Sequence, residues 1–492
     1  MSGGRSPFAE RQVTISLKLL VDPAKNRVIF AESDFEFIDT LLSFLTIPLG
    51  ALFRVLGPDG TGIGSISRIR QSVSSLEVQH LRTAYCKVML LSPRNASETQ
   101  CSKLKLNIYP MEPAQLYMCD DHRYRFSTFK DKRCSCGWPM DTAVDIQEEQ
   151  KAAEDGGGVF VSGGAARFII TDDLQVIPGS TAACIALFRK LGINNESELE
   201  ERTVEIGSKE VLRLLKFALL SKSSLTESIL LAQCSNTYVT FKSQQKKTAQ
   251  SDKKDKTDNS NNMKLKLLMS KSKNRIIYAE AGVDMVDFLF SFLTLPIGSV
   301  IKLLGKNSGF GCFDNLYKST EDLSAGSYMK SEYCKQMLLC PKLAPFFGLE
   351  NKILQVEEAS YVFHAGRRSW LLSDAKSESG SFTMDPLEER GDLPFLMDPK
   401  SPTGEVQAGK GYMKGPATFM ITDDLFVTPF SPVTTIELLK KLNMAINDVM
   451  EREVTVGNDE ALNLLRASLT SKTALNDIFN KKEPYGELML KV

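Results

Sequence analysis

The sequence contains little histidine and little tryptophan, with three histidines and two tryptophans in 492 residues. None of the histidines, at positions 80, 122 and 364, is placed in sequence beside Cys86 with an acidic partner, so the sequence assembles no nucleophile and base around that thiol. The glycines at 57–64 have neither the dinucleotide-binding spacing nor the P-loop spacing. The sequence therefore identifies no reaction and no catalytic residue.

Net charge and long apolar runs are also lacking. Sixty basic residues balance sixty acidic residues, so the chain has no overall electrostatic attraction for nucleic acid or an anionic membrane. No stretch reaches the roughly 18 uninterrupted apolar residues of a transmembrane helix, and the first residues, MSGGRSPFAERQ, lack the apolar segment of a secretory signal. We expect a soluble protein of the cytoplasm or nucleus.

The ten cysteines do not recur as matched pairs, which argues against a disulfide framework and favours reduced thiols. Hydrophobic residues make up 42% of the chain and charged residues 24%, which is typical of globular proteins. The length exceeds what a single hydrophobic core usually organises. The composition therefore predicts at least two domains.

A long internal repeat supplies the number of domains. Residues 18–57 align without a gap on residues 266–305, at an offset of 248, with 19 of 40 positions identical. A second matched pair, FIITDDLQVIP at 168–178 and FMITDDLFVTP at 419–429, has an offset of 251. The sequence therefore predicts two tandem homologous modules.

We place the first repeat at residues 1–242, a disordered linker at 243–262 and the second repeat at 263–492. The linker, SQQKKTAQSDKKDKTDNSNN, has no aliphatic residue larger than alanine and cannot bury itself. Each repeat is expected to enclose its own core, so that the two can move independently.

The predicted fold class is α+β, in which each repeat is a β-hairpin with helices, followed by a second small hairpin and more helices. Alternating apolar residues flank turn residues at 22–26, and helical periodicity follows Asp34. Segments 145–164 and 373–415 are rich in glycine, serine and charge, which predicts flexible surface insertions. The wholly apolar segments 41–53 and 288–301 predict a buried helix pair, with a membrane contact or a dimer face as alternatives.

Three cysteines and a histidine lie close together in the first repeat, within a loop at 117–140. They are Cys119, His122, Cys134 and Cys136, with the spacing C-x₂-H followed by C-x-C-G. These are the ligands of a closed, structural Cys₃His site for Zn²⁺. A free-thiol or redox loop, or no site at all, are the alternatives. The second repeat has His364 but no C-x-C.

The phrases KNRVIFAE, LLSFLTIPLG, RCSCG and ITDDLQVIP together resemble a plant family of uncharacterised proteins, domain of unknown function 674. The resemblance covers nearly all of both repeats. It implies tandem copies and no assigned activity, and the second repeat departs from its cysteine pattern.

The leading hypothesis is a non-enzymatic interaction or scaffold protein that binds protein partners and carries a structural zinc loop in its first repeat. One alternative is an enzyme or small-ligand binder whose site lies between hairpin and helices. The other is a nucleic-acid-associated zinc-knuckle protein, which the lack of strong basic and aromatic interleaving around the knuckle disfavours. The sequence does not indicate the oligomeric state.

Overall fold

The computed structural model describes most of the chain. The described residues are 13–56, 64–108, 115–122, 124–144, 146–148, 157–164, 166–193, 199–231, 262–305, 308–350, 353–365, 370–374, 395–403 and 411–480.

The strands of the described residues, in chain order, are β1 (Ile15–Asp22), β2 (Arg27–Ser33), β3 (Leu116–Met118), β4 (Arg125–Ser127), β5 (Lys132–Arg133), β6 (Pro139–Met140), β7 (Thr142–Val144), β8 (Ile146–Glu148), β9 (Phe168–Thr171), β10 (Val176–Pro178), β11 (Glu200–Ile206), β12 (Met263–Ser270), β13 (Arg275–Ala281), β14 (Tyr361–Ala365), β15 (Trp370–Asp374), β16 (Phe395–Leu396), β17 (Phe419–Thr422), β18 (Val427–Pro429) and β19 (Val449–Val456). Each repeat forms its own antiparallel five-stranded sheet, and the two sheets have equivalent strand orders, β10-β9-β2-β1-β11 in the first repeat and β18-β17-β13-β12-β19 in the second.

Helices cover these sheets and fill the space between them. They are α1 (Phe35–Ser43), α2 (Leu49–Leu56), α3 (Ile66–Ser75), α4 (Ala84–Leu91), α5 (Glu98–Cys101), α6 (Thr181–Leu191), α7 (Ser208–Leu220), α8 (Val283–Ser291), α9 (Ile297–Leu304), α10 (Phe313–Asp322), α11 (Glu332–Leu339), α12 (Pro432–Lys441), α13 (Asn458–Thr470) and α14 (Ala474–Phe479). The α+β class is confirmed.

Local sequence explains the start of each repeat. The β1–β2 and β12–β13 hairpins turn at Asn26 and Asn274, whose positive φ angles of 47° and 42° suit asparagine better than most residues. Asp34 then caps α1 by accepting a hydrogen bond from the Glu36 amide, as helix-capping chemistry predicts.

The two apolar segments meet each other at the centre of the molecule. Pro48 and Pro296 face each other, and the Leu49 amide donates to the Leu295 carbonyl at 2.9 Å while the Ile297 amide donates to the Ile47 carbonyl at 3.0 Å. Their apolar side chains are buried. The buried helix pair is therefore confirmed, and each segment is covered by its counterpart. Among the described residues, no helix has both the length and the apolar character needed to cross a bilayer.

The helices that follow these segments are exchanged between the two sheets. Helix α3 of the first repeat lies against β18 of the second, where the Ser72 hydroxyl accepts from the Val427 amide at 2.7 Å. Helix α10 of the second repeat lies against β10 of the first, where the Ser319 hydroxyl accepts from the Val176 amide at 2.9 Å. Each sheet is therefore completed by a helix from the other repeat.

Two loops connect the repeats to each other, and each loop donates amide hydrogen bonds to a buried carboxylate. Asp39 of α1 accepts from the amides of Val159, Phe160 and Val161, and Val161 forms a bridge with Met329 of the second repeat. Burial raises the pKa of Asp39 to about 6, against the lowering effect of the three amide hydrogen bonds.

The equivalent carboxylate in the second repeat is Asp287, which accepts from the amides of Tyr412 and Met413. Met413 forms a bridge with Leu81 of the first repeat. Burial raises the pKa of Asp287 to about 6 as well, although the same two amides lower it.

The structure corrects two expectations. Residues of both repeats form one continuous hydrophobic core, so the prediction of separate cores and independent movement is wrong. Parts of the predicted surface insertions, including Phe160, Met397 and Tyr412, are buried, because they fill the junction between the repeats. The other parts of those insertions, 149–156, 375–394 and 404–410, lie outside the described residues, as does the linker at 243–261. The repeat boundaries themselves stay a prediction.

Candidate metal centre

The candidate metal ligands lie beside a small sheet to which both repeats contribute. Strands β3, β4 and β7 come from the first repeat, and β16 from the second adds to β4 in parallel, giving the order β16-β4-β3-β7. Cys119 and His122 occupy the turn between β3 and β4, and Cys134 and Cys136 occupy the turn between β5 and β6. Two short hairpin turns thus present the four side chains.

The structure brings all four predicted side chains together. One potential ligand atom from each lies within 4.8 Å of the others. The Cys119 and Cys136 sulfur atoms are 3.5 Å apart, and the His122 Nδ1 atom is 3.4 Å from the Cys134 sulfur. In a tetrahedral site with Zn–S bonds of about 2.3 Å, two sulfur atoms would be about 3.8 Å apart. This group could therefore hold a metal ion.

Backbone geometry shapes the second turn. The Gly137 amide donates to the Cys134 carbonyl at 2.9 Å, and the Cys134 amide donates to the Trp138 carbonyl at 2.9 Å. Gly137 has a φ of 92°, a left-handed conformation that a side chain would strain, and this explains the glycine of the C-x-C-G spacing. Trp138, the next residue, is 66% exposed.

The pKa values of the Cys119 and Cys134 thiols are shifted in opposite directions. Burial and the neighbouring thiols raise the pKa of Cys119 to about 11, although the amides of His122 and Asp121 lower it. For Cys134, burial alone would raise the pKa, but the Cys136 amide, His122 and the other two thiols outweigh it and lower the pKa to about 7. Cys134 therefore loses its proton more readily than an ordinary cysteine, and the thiolate is the form of cysteine that binds metals.

A segment of the second repeat covers part of this centre. Met397 is fully buried in a cluster with Cys119, Cys134 and Met140, and its amide donates to the Phe126 carbonyl at 2.8 Å. Met397 was not predicted, because nothing local to the cysteines indicates a residue more than two hundred positions away.

A buried lysine of the first repeat donates hydrogen bonds to the same segment of the second repeat. Lys132 is 3% exposed, and its Nζ donates to the carbonyls of Ser401 at 3.0 Å and Pro399 at 3.5 Å. Burial lowers the pKa of this ammonium group. Residues 395–401, which we call the covering segment, are therefore bound to the first repeat at two points, the Phe126 carbonyl and the Lys132 ammonium group.

Cys86, Asp172 and His364 are not part of this group of four. Cys86 is fully buried and its pKa is raised by burial, so its thiol has little nucleophilic character. Asp172 accepts from Arg27 and from both the amide and the hydroxyl of Thr226, which ties β2 to the end of the first repeat. His364 lies on β14, which pairs with β15 and not with the candidate centre.

A family model described as protein of unknown function (DUF674) matches residues 11–459. The chain belongs to this family. The match extends across both repeats of the DUF674 chain, including the candidate centre and the exchanged helices. Comparison with the curated proteins and comparison with the solved structures each find no match.

Proposed function

We propose that this chain is a non-enzymatic interaction protein whose first repeat binds one structural Zn²⁺ through Cys119, His122, Cys134 and Cys136. The observation that supports zinc is the convergence of these four ligand atoms within 4.8 Å, with Cys119 and Cys134 buried. Three sulfur atoms and one imidazole nitrogen suit Zn²⁺ better than hard cations. A four-ligand site leaves no open position for a catalytic water, which supports a structural role.

The zinc proposal is tested on the full-length protein by elemental analysis after purification without added metal. We expect stoichiometric zinc in the wild type and almost none in the Cys134→Ser, Cys136→Ser double variant, because two of four ligands are lost. The control replaces two thiols distant in sequence from the centre, Cys184→Ser and Cys340→Ser, and should keep its zinc. Equal zinc content in the wild type and the ligand variant would contradict the proposal.

The same variants report on the covering segment. Because Met397 belongs to the same buried cluster as Cys119 and Cys134, loss of the metal should loosen residues 395–401. We expect faster amide hydrogen exchange there in the ligand variant, with exchange in β1 and β2 unchanged. Unchanged exchange throughout would show that the ligands do not stabilise the segment.

Interaction with protein partners is supported by exposed apolar residues at equivalent positions of α6 and α12. Ile185 and Ile436 are 44% and 53% exposed, and Leu191, the last residue of α6, and Leu442, the residue that follows α12, are also exposed. The pattern predicts two similar contact surfaces, one in each repeat, on helices whose opposite faces lie against the sheets.

This part of the proposal predicts the effect of a charge on those surfaces. Proteins recovered with the tagged full-length chain should include partners that are lost with Ile436→Glu, because a buried contact would then contain an unpaired charge. The control, Glu437→Gln, changes an exposed neighbour on the same helix and should keep the partners. Identical recovery with all three proteins would count against the surface. Turnover of an ester, phosphate or nucleotide substrate that one substitution abolishes would overturn the non-enzymatic assignment.

A further inference from the structure

We propose that the face through which the two repeats join is a self-complementary docking surface. Its partner outside this chain is a second copy of the same chain, whose second repeat would bind the first repeat of this copy and whose first repeat would bind the second. The proposal concerns the exchanged contacts between the repeats and does not depend on the metal or on the partner surfaces of α6 and α12.

The contacts across this face occur in pairs with the roles of the repeats reversed. Before α3, the Ser65 hydroxyl donates to the Ser471 carbonyl at 2.6 Å. Before α10, the Cys312 thiol donates to the Ser221 carbonyl at 3.0 Å. Together with the reciprocal Ser72 and Ser319 contacts, these pairs give the face the symmetry of an isologous dimer interface, in which the same patch is used on both partners.

The loops at the rim of the face repeat the same exchange. In one direction, the Arg82 amide donates to the Tyr412 carbonyl at 2.9 Å and the Lys414 amide donates to the His80 carbonyl at 2.8 Å. In the other, the Lys330 amide donates to the Phe160 carbonyl at 2.9 Å and the Ser162 amide donates to the Tyr328 carbonyl at 2.8 Å. Each repeat therefore supplies both halves of a reciprocal strand contact.

Glycines show how closely the two repeats approach. A Cβ atom at Gly311, in the second repeat, would lie 2.5 Å from the Ala218 carbonyl oxygen at the end of α7 in the first. A Cβ atom at Gly64, in the first repeat, would lie 2.5 Å from the Ser468 carbonyl oxygen near the end of α13 in the second. Such backbone-to-backbone contact on both sides indicates a closely fitted face.

An isolated repeat would expose a large apolar surface. Phe44 of the first repeat and Phe313 of the second are both fully buried and pack with ring centroids 6.3 Å apart, and the apolar segments around Pro48 and Pro296 cover one another. A repeat separated from its counterpart must therefore find another equivalent surface, and a second copy of the chain carries one. Exchange of identical elements is a low-cost route to dimers.

The first experiment cuts the native full-length protein at a specific protease site inserted within residues 243–262. We expect the two fragments to remain together as a one-to-one complex that elutes like the uncut chain. Elution as two separate folded fragments, or precipitation of either fragment after the cut, would overturn the proposal.

The second experiment tests whether two copies of the full-length chain form a dimer through this face. Uncut chains with two different tags are unfolded, mixed and refolded at increasing protein concentration. We expect dimers that contain both tags, whose fraction rises with concentration and whose near-ultraviolet circular dichroism matches that of the monomer. Because a dimer that uses the same face keeps the Gly311 contact once per chain, as the monomer does, Gly311→Ala should lower the unfolding midpoints of monomer and dimer by similar amounts, whereas Gly282→Ala, where an added Cβ meets nothing within 4 Å, should lower neither by much. Monomers alone at every concentration, or a mixed dimer whose stability Gly311→Ala leaves unchanged, would overturn the assignment of the partner.

Discussion

Replacing Asp39 with alanine is expected to lower the free energy of unfolding by about 3–5 kcal/mol, since each buried amide left without an acceptor costs about 1–3 kcal/mol. The Asp39 carboxylate accepts from three amides, those of Val159, Phe160 and Val161, and is 3% exposed. These amides belong to the loop that bridges to the second repeat. The substitution should therefore release the loop as well as destabilise the core.

Denaturant unfolding of the full-length chain measures this effect, and hydrogen exchange at 157–162 locates it. Asp39→Asn provides a graded comparison, because Oδ1 accepts from two of the amides and Oδ2 from the third. The asparagine NH₂ group would face one amide, donor against donor, so most of the loss should remain. A change below about 1 kcal/mol in Asp39→Ala would show that water satisfies the amides, and would exclude the role of Asp39 in holding this loop in place.

Asp287→Asn is the matched counterpart and should behave differently. Both of its amide contacts, from Tyr412 and Met413, go to the single oxygen Oδ1, which an asparagine carbonyl can replace. We expect this variant to keep most of its stability at neutral pH, because it also removes a buried charge.

The stability of the wild type and the stability of Asp287→Asn should depend differently on pH. Burial raises the pKa of Asp287 from 3.8 to about 6 in the folded chain, with Lys400 lowering it and Asp284 raising it. The folded wild type therefore binds a proton more tightly than the unfolded chain does. Its stability should fall as the pH rises from about 4 to about 7, by about 3 kcal/mol relative to Asp287→Asn. A parallel pair of stability curves would contradict the raised pKa.

The second large effect is expected for Gly311→Ala, which should lower the free energy of unfolding by about 3–5 kcal/mol through overpacking and a strained backbone. Gly311 has a φ of 65°, and its added Cβ would lie 2.5 Å from the Ala218 carbonyl oxygen of the other repeat. Neither partner is a flexible side chain that could move aside. The amide of the next residue, Cys312, donates to the same carbonyl at 2.9 Å, so the clash should also break this bond.

Thermal and denaturant unfolding of Gly311→Ala and Gly282→Ala measure the effect under the same conditions. Gly282 precedes α8, has an extended conformation with φ of −79°, and has open space where a Cβ would be placed. Its substitution should cost less than about 1 kcal/mol. Equal losses in the two variants would mean that close approach between the repeats is not what requires glycine at 311.

Local patterns in the chain were enough to predict much of the architecture. Alternation predicted the β1–β2 and β12–β13 hairpins, and helical periodicity after Asp34 predicted α1. The ligand spacing predicted the set of Cys119, His122, Cys134 and Cys136, which the structure brings together. These features are local because a hairpin, a helix cap and two ligand-bearing turns each form within a few residues.

Other elements were missed for lack of a local signal. Helix α3 has a polar average character and was not predicted, although Ile66, Ile69 and Val73 bury one of its faces. Strand β11 has exposed, charged residues that resemble those of a loop, yet it pairs with β1 along most of its length. Both elements are stabilised by neighbours that lie far away in the sequence.

A hydrophobic pattern requires that a face be covered, but it does not say which copy of a repeated element covers it. The repeat and its local elements could therefore be read from residue order, whereas the exchange of α3 and α10, the single core and the covering of the cysteine cluster by Met397 could not. In a duplicated chain both pairings present nearly the same apolar surface, and only the three-dimensional packing distinguishes them.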